Sequence, residues 1–201
     1  MKVRIGLIRH GLTDWNAAGR IQGQTDIPLN GEGREQAERL GRRLLTEEYQ
    51  WDYIITSGLS RAQETGEIIS RLLNVPLLEP DARLKERAFG QIEGLTSEER
   101  VARWGKSWET LDLGQEQIAD IQVRALAFLE DLWSAYPDGN VLIVTHGAFL
   151  ANLLTALFKD RYTERIGNLS LTILEKERDD WSPLLYNCTR HLSLDTAKQP
   201  E

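Results

Sequence analysis

Cysteine is nearly missing from this chain. Its 201 residues contain one, Cys188, so no internal disulfide framework can staple the fold. Histidine is almost as scarce, and three scattered copies beside a lone cysteine do not read as a zinc site. Long hydrophobic runs are lacking too: none approaches the roughly 18 uninterrupted apolar residues of a membrane span. The opening MKVRIGLIRHG is interrupted by Arg4 and Arg9 and has no cleavage-type segment, so it reads as a first strand and not a signal peptide. Positive charge is in deficit, with 24 Lys+Arg against 31 Asp+Glu and a net charge of −7. That balance argues against a general binder of nucleic acid or anionic membranes, which need basic surface, while leaving room for a local basic pocket. Internal repeats and low-complexity tracts are absent. The expectation is a cytoplasmic, enzyme-sized domain whose partner is a small molecule.

The chain does have apolar runs alternating with helix-period segments. Residues 3–8, 53–56 and 141–145 read as buried strands, each β-branched-rich and each followed by helical spacing. The helices are expected over 31–49 (Ala37, Leu40, Leu44 and Leu45 inward) and 61–73 (Ala62, Thr65, Ile68, Ile69 and Leu72 inward). Further helices are expected over 117–136, carrying Ile118, Ile121, Ala125, Phe128, Leu129, Leu132 and Trp133 on its inner face, and over 148–158. Pro137 and Gly139 stop the longest of them. Two more strands, 169–174 and 184–186, are expected to pair through a turn near Asp179-Asp180. The alternation predicts an α/β fold, a three-layer α/β/α sandwich on a mainly parallel mixed sheet. Residues 1–194 form the expected single domain, with 91–116 as a small helical, lid-like insertion over the site and 195–201 as a frayed tail.

Chemistry gathers where the strands end. Ile8 runs into Arg9-His10-Gly11, Val144-Thr145 runs into His146-Gly147, and the middle strand runs into Ser57 with Arg61 four residues on. In an open α/β sheet, ligands sit outside the carboxyl ends of the strands. Neighbouring strands would therefore bring two histidines and two arginines together. Arginine presents a planar fork of donors that matches phosphate oxygens. A neutral imidazole can attack phosphorus and carry the phosphoryl group covalently. Two arginines beside His10 disfavour its protonated form. Gly11 and Gly147 would let backbone N–H groups approach an anion, and the helix starts after the second and third strands would add more. Each of these residues alone is more ordinarily structural, but the strand–His–Gly pattern occurs twice, and only His191 lies outside it.

The run Arg9-His10-Gly11-Leu12-Thr13-Asp14-Trp15-Asn16, followed by Arg20-Ile21-Gln22-Gly23 and Asp26-Ile27-Pro28-Leu29, closely resembles the opening signature of the histidine phosphatase superfamily. This is the group that also holds the cofactor-dependent phosphoglycerate mutases. The likeness continues through Ser57 to Arg61-Ala62 and Thr65, Leu84-Lys85-Glu86-Arg87, Gly114-Gln115-Glu116, Val144 to Gly147, and Asn168-Leu169-Ser170. The resemblance implies that His10 is the nucleophile and Glu86 the general acid and base. Arg9, Arg61 and His146 would bind the phosphoryl oxygens, and Asn16, Gln22, Gly23 and Gly147 would complete the phosphate site. To donate, Glu86 must arrive protonated, which burial beside a phosphate dianion favours. No metal and no diffusible cofactor are implied, since arginine supplies the positive charge. Leu12 and Gly58 depart from the family pattern at positions that are not catalytic in it.

Within that family two reactions compete. The stretch Leu84 to Arg87 looks more like the mutases. Against this, only 60 positions separate Glu86 from His146, and a mutase needs a longer, more basic lid to exclude water. The basic residues of that span are Arg87, Arg100, Arg103, Lys106 and Arg124, set among acids and the apolar Phe89, Trp104 and Trp108. Hydrolysis of a small soluble phosphomonoester is the expectation, with a phosphoglycerate mutase and a non-catalytic phospho-ligand binding module as alternatives. Phe89, Trp104 and Trp108 are placed either against an apolar leaving group or in the packing of the insertion. The physiological substrate is left open, cobalamin-precursor ribosides and sugar phosphates included. A homodimer through an exposed strand edge is compatible with the sequence, though no residue argues for it.

Overall fold

The computed structural model describes residues 2–178 and 180–193. Its frame is a five-stranded sheet of β1 (Lys2–Arg9), β2 (Tyr53–Thr56), β3 (Val141–Thr145), β4 (Leu171–Glu177) and β5 (Asp180–Cys188). The strand order is β2-β3-β1-β4-β5. β3 pairs in parallel with both β1 and β2, while β4 runs antiparallel to β1 and to β5. Four of the five strands therefore point the same way, and the sheet is mixed but mainly parallel.

The helices are α1 (Asp14–Ala17), α2 (Gly31–Leu44), α3 (Ser60–Leu73), α4 (Ser97–Trp104), α5 (Ile118–Ala135) and α6 (Gly147–Phe158). Strand side chains alternate between faces, and each face has its own helical cover. Ile5, Leu7, Val141 and Ile143 pack under α5 and α6 with Ile121, Phe128, Phe149 and Leu153. Ile8, Ile54, Leu142 and Val144 face α2 and α3 through Leu40, Leu44, Ala62 and Ile69. The result is the expected α/β/α sandwich.

Some boundaries differ from the sequence reading. α2 stops at Leu44, where the chain turns through Thr46 and Glu47 bonded back to Arg43 and Leu44. Leu45 consequently leaves the inner face and is 57% exposed. Ile118 is likewise 53% exposed, because it is the first residue of α5 and the core begins one turn later at Ile121. Leu169 adopts φ +50° and turns into β4, which starts at Leu171 and continues through charged residues to Glu177. β5 is longer than its apolar pattern implies, since pairing with β4 carries it across Pro183 and back to Asp180. Asp179 of the anticipated turn, Leu194 at the end of the expected domain and the 195–201 tail lie outside the described residues.

Span 91–116 begins within one short helical turn, Gly90–Ile92, and contains α4 and a second, Trp108–Thr110. Its start pairs with the loop before α2: Ile21 N donates to Leu95 O, and Gly94 N donates to Ile21 O. Of the two sheet edges, that of β2 is covered, because Ile54 N donates to Pro76 O and Leu78 N to Ile54 O. A strand-edge dimer would thus have β5 available to it.

Candidate active site

Three parallel strands deliver their carboxyl ends to one place. Beyond them opens a cavity of about 470 Å³ whose surface includes Arg9, His10, Asn16, Gln22, Gly23, Glu86 and Gly147. Arg61 and His146 lie immediately beneath, each 0% exposed. All nine residues singled out in the sequence are therefore brought to one locus.

His10 is held by its own neighbour. Its Nδ1 lies 2.7 Å from Gly11 O. A carbonyl can only accept, so Nδ1 carries the proton and Nε2 keeps its lone pair. Burial, then Arg9 and Arg61, push the His10 pKa well below its usual value. His146 lies with its ring centroid 5.1 Å from that of His10 and is lowered in the same way, first by burial and then by His10 and the arginines. Its Nε2 is 2.7 Å from Ser57 Oγ. Both imidazoles are thus neutral in the free protein.

The arginines are aimed by backbone carbonyls. Arg9 Nη1 donates to Ile166 O at 2.7 Å. Arg61 Nη1 donates to Thr25 O and Nη2 to Gly23 O, which fixes the plane of its guanidinium. Burial lowers Arg61 and takes Arg9 down to about 10, against the opposing pull of Glu86. Arg9 Nε, Arg61 Nε and His146 Nδ1 are buried without a hydrogen-bond partner among the described residues. The two orphaned arginine donors, on buried cations, are costly unless something anionic meets them. A phosphoryl group fits that need.

The amides are oriented by second partners. Asn16 Oδ1 accepts from Asn168 Nδ2, and Gln22 Oε1 accepts from Thr13 Oγ1. Each therefore keeps its NH₂ group free for an acceptor. Gly23 has φ +55°, and a Cβ there would fall 1.9 Å from Glu93 Oε1. Only glycine suits that bend. A Cβ on Gly147 would press on Arg9 Nε at 3.3 Å.

Glu86 sits at the start of α6. Its Oε1 accepts from Phe149 N at 2.8 Å and Arg87 N at 2.9 Å, and its Oε2 accepts from Ala148 N at 3.1 Å. These bonds narrow one expectation, because the Ala148 and Phe149 N–H groups of this helix start serve Glu86 and are not open to an incoming anion. At α3, Ser60 N is likewise taken by Asp26. Gly11 N donates to Thr65 Oγ1, and the lack of a side chain there admits the Gly33 carbonyl, whose oxygen a Cβ would meet at 2.5 Å.

Phe89 lines the cavity, whereas Trp104 and Trp108 do not. The two tryptophans lie under the guanidinium groups of Arg103 and Arg100. His191 is remote from the cavity, its Nδ1 3.2 Å from Arg43 Nη1. Sequence reasoning gave no role to Arg165, Ala148, Ala151 or Ile166, which also line the cavity. Arg165 and Ile166 lie in irregular chain before β4, and Ala148 and Ala151 on an α6 that is apolar nearly all round, so no pattern marked them.

Comparison with known proteins agrees with this geometry. Residues 5–189 match the family model described as the histidine phosphatase superfamily (branch 1). The chain is 38% identical over 190 residues to the uncharacterized phosphatase PhoE of Bacillus subtilis (strain 168), covering 93% of this chain and 95% of that one. It is 34% identical over 194 residues to the probable phosphoglycerate mutase GpmB of Photorhabdus laumondii, covering 89% and 87%. Among solved structures, Bacillus stearothermophilus YhfR superimposes with a TM-score of 0.82 at 32% identity, covering 94% of this chain and 99% of that one.

Proposed function

Because this chain belongs to the histidine phosphatase superfamily, we propose that it hydrolyses small soluble phosphate monoesters through a phosphohistidine on His10. The observation that carries the reading is the His10–Gly11 bond, which leaves a neutral imidazole with a free Nε2 lone pair between two arginines. Nε2 attacks phosphorus, the P–O ester bond breaks, and the departing oxygen takes a proton from Glu86. Glu86 then accepts a proton from water as the water attacks phosphorus. The P–N bond breaks, and inorganic phosphate leaves with His10 restored. Arg9, Arg61 and His146, with the amides of Asn16 and Gln22, hold the phosphoryl oxygens through the transition state. To reach the leaving oxygen, a Glu86 oxygen must release an α6 N–H. The reading calls on no metal and no diffusible cofactor.

Relatives bear both phosphatase and mutase names, so the acceptor must be argued from the site. None of the insertion's basic residues, Arg100, Arg103 and Lys106, is on the cavity surface, and neither are Arg87 and Arg124 on either side of it. Arg20 is on it, but Glu99 takes its guanidinium at 2.6 and 3.0 Å. The lid thus brings no cation of its own to the cavity; Arg165, on the wall before β4, is there, but with so short a lid to exclude water, water is the natural acceptor. We read 91–116 as a short lid on a single domain. Phe89, Ile21 and Ala151 give the leaving group an apolar wall.

The test supplies 3-phosphoglycerate with a trace of 2,3-bisphosphoglycerate, and nitrophenyl phosphate in parallel. Phosphate release that disappears in His10→Ala is expected. Isomerisation to 2-phosphoglycerate with little free phosphate would instead make the chain a mutase. Binding without turnover would make it a phospho-ligand module.

A further inference from the structure

Arg124 projects from α5 and divides its guanidinium between the carbonyls around Glu86 and the carboxylate of Glu116. Its Nη1 donates to Arg83 O and to Lys85 O, its Nη2 to Glu86 O at 3.2 Å and Glu116 Oε2 at 3.0 Å, and its Nε to Glu116 Oε1 at 2.7 Å. Guanidinium has five N–H donors, so none is left over. Glu116 closes the other side. Its Oε2 accepts from Ala88 N, its N–H donates to Ala88 O, and its carbonyl accepts from Arg87 Nε. The guanidinium also lies 5.2 Å from the centre of the Phe149 ring, and Phe149 N is one of the donors to the Glu86 carboxylate.

We propose that Arg124, locked to Glu116, is a positioning residue that sets the reach of Glu86 as the general acid. The inference rests on the phosphohistidine reading above. Residues 83 to 88 have no regular secondary structure beyond one short helical turn, so the Glu86 backbone is held by side chains, Arg124 and, at 3.0 Å on the same carbonyl, Gln24 Nε2. Arg124 itself does not line the cavity and touches no reacting atom. The same clamp grips the chain at both ends of the 91–116 insertion, at 85–88 and at 116. Movement of the insertion against the sheet would therefore reach Glu86 through this pair. Lysine keeps the charge but lacks the fork, and cannot hold three carbonyls and a carboxylate together.

The signature of a misplaced acid is leaving-group dependence. Glycerol 3-phosphate needs a proton on its departing oxygen, whereas nitrophenyl phosphate scarcely does. Arg124→Lys is expected to lower kcat for glycerol 3-phosphate about tenfold more than for nitrophenyl phosphate. In a Glu86→Gln background that differential should vanish, because the acid it positions is gone. Thermal melting follows the fold of each variant. Should Arg124→Lys fail to fold, Glu116→Gln leaves the carbonyl bonds intact and is expected to show the same differential, reduced. Equal losses on both substrates, with Glu86→Gln still discriminating, would overturn the inference and leave the phosphatase reading standing. A Glu86→Gln enzyme that does not discriminate would overturn the acid assignment and this inference with it.

Discussion

Glu86 and His191 are both buried and titratable, yet they face opposite demands. Glu86 accepts three backbone N–H groups, and the proposed chemistry asks it to exchange that cradle for a leaving oxygen. Glu86→Gln keeps a carbonyl acceptor for the α6 start but has no acidic proton to transfer. Hydrolysis of alkyl phosphates is expected to fall about 10²-fold or more, the scale of general acid catalysis, while nitrophenyl phosphate hydrolysis falls much less. Steady-state kinetics on the two esters check this, and equal losses would remove Glu86 from the role. His191 has no such task. Its Nδ1 faces Arg43, a group that can only donate, so the ring must stay neutral to accept. Burial, and then Arg43, bring its pKa down to about 4. The unfolded chain therefore binds this proton first as pH falls through 6.5. Stability from the neutral ring is intact above 6.5, drains away as pH falls towards 4, and is spent below that. The loss is on the order of 3 kcal/mol across the window. His191→Gln keeps an acceptor without a titration, and urea melts at pH 7 and pH 4.5 should show a flatter acid dependence. A slope identical to the parent's would place the acid sensitivity elsewhere.

Elements were legible where periodicity was unambiguous. Val141 to Thr145 is buried throughout and was readable as a strand from its apolar run, and α3 and α6 begin within one residue of their expected starts. Legibility failed where tertiary contacts override local pattern. Leu45 looks like a core residue by spacing, yet the chain turns away first, and β5 reads as short because Pro183 and Asp180 are poor strand residues that pairing nonetheless recruits. In the site, the strand-end residues Arg9, His10, Arg61 and His146 were visible from the residues alone. Glu86 was not, because one acid among 31 Asp+Glu carries no local mark; family likeness singled it out. The loop from Ile21 to Thr25 is the element whose shape matters most, since its carbonyls aim Arg61 while Glu93 bonds the N–H groups of Gln24 and Thr25. Gly23→Ala would force a Cβ into Glu93 at a positive φ, displacing the carbonyl that Arg61 Nη2 uses. The expected outcome is a drop in kcat/KM of about 10² from a displaced phosphate ligand. The melting temperature should change far less, because the loop lies outside both core clusters. A variant with full activity would mean that Arg61 does not depend on this loop.

At the scale of the whole molecule, charge is the paradox to resolve. The chain carries a net −7, yet the proposed substrate is an anion. Segregation accounts for it. Arg9 and Arg61 lie buried at the carboxyl ends of the parallel strands, and their positive charge acts in a poorly solvated place where it counts for more. Several surface acids are drawn into pairs with other arginines, as Glu64 with Arg34 and Glu38 with Arg42 are. Guanidinium groups cannot be deprotonated at working pH even when burial lowers one to about 10, so the site keeps its charge without a metal ion. Among the described residues, no three His, Cys, Asp or Glu side chains gather as a metal would require. Phosphatase activity should therefore survive exhaustive dialysis against a chelator, remaining within about twofold of the untreated protein. Adding back divalent cations should not raise it, and excess cation should lower it by competing for the substrate phosphate. Activity lost on chelation and restored by one particular metal would overturn the arginine-based mechanism. In that event Glu86, whose carboxylate shares the cavity surface with His10, would be the first residue to test as a ligand.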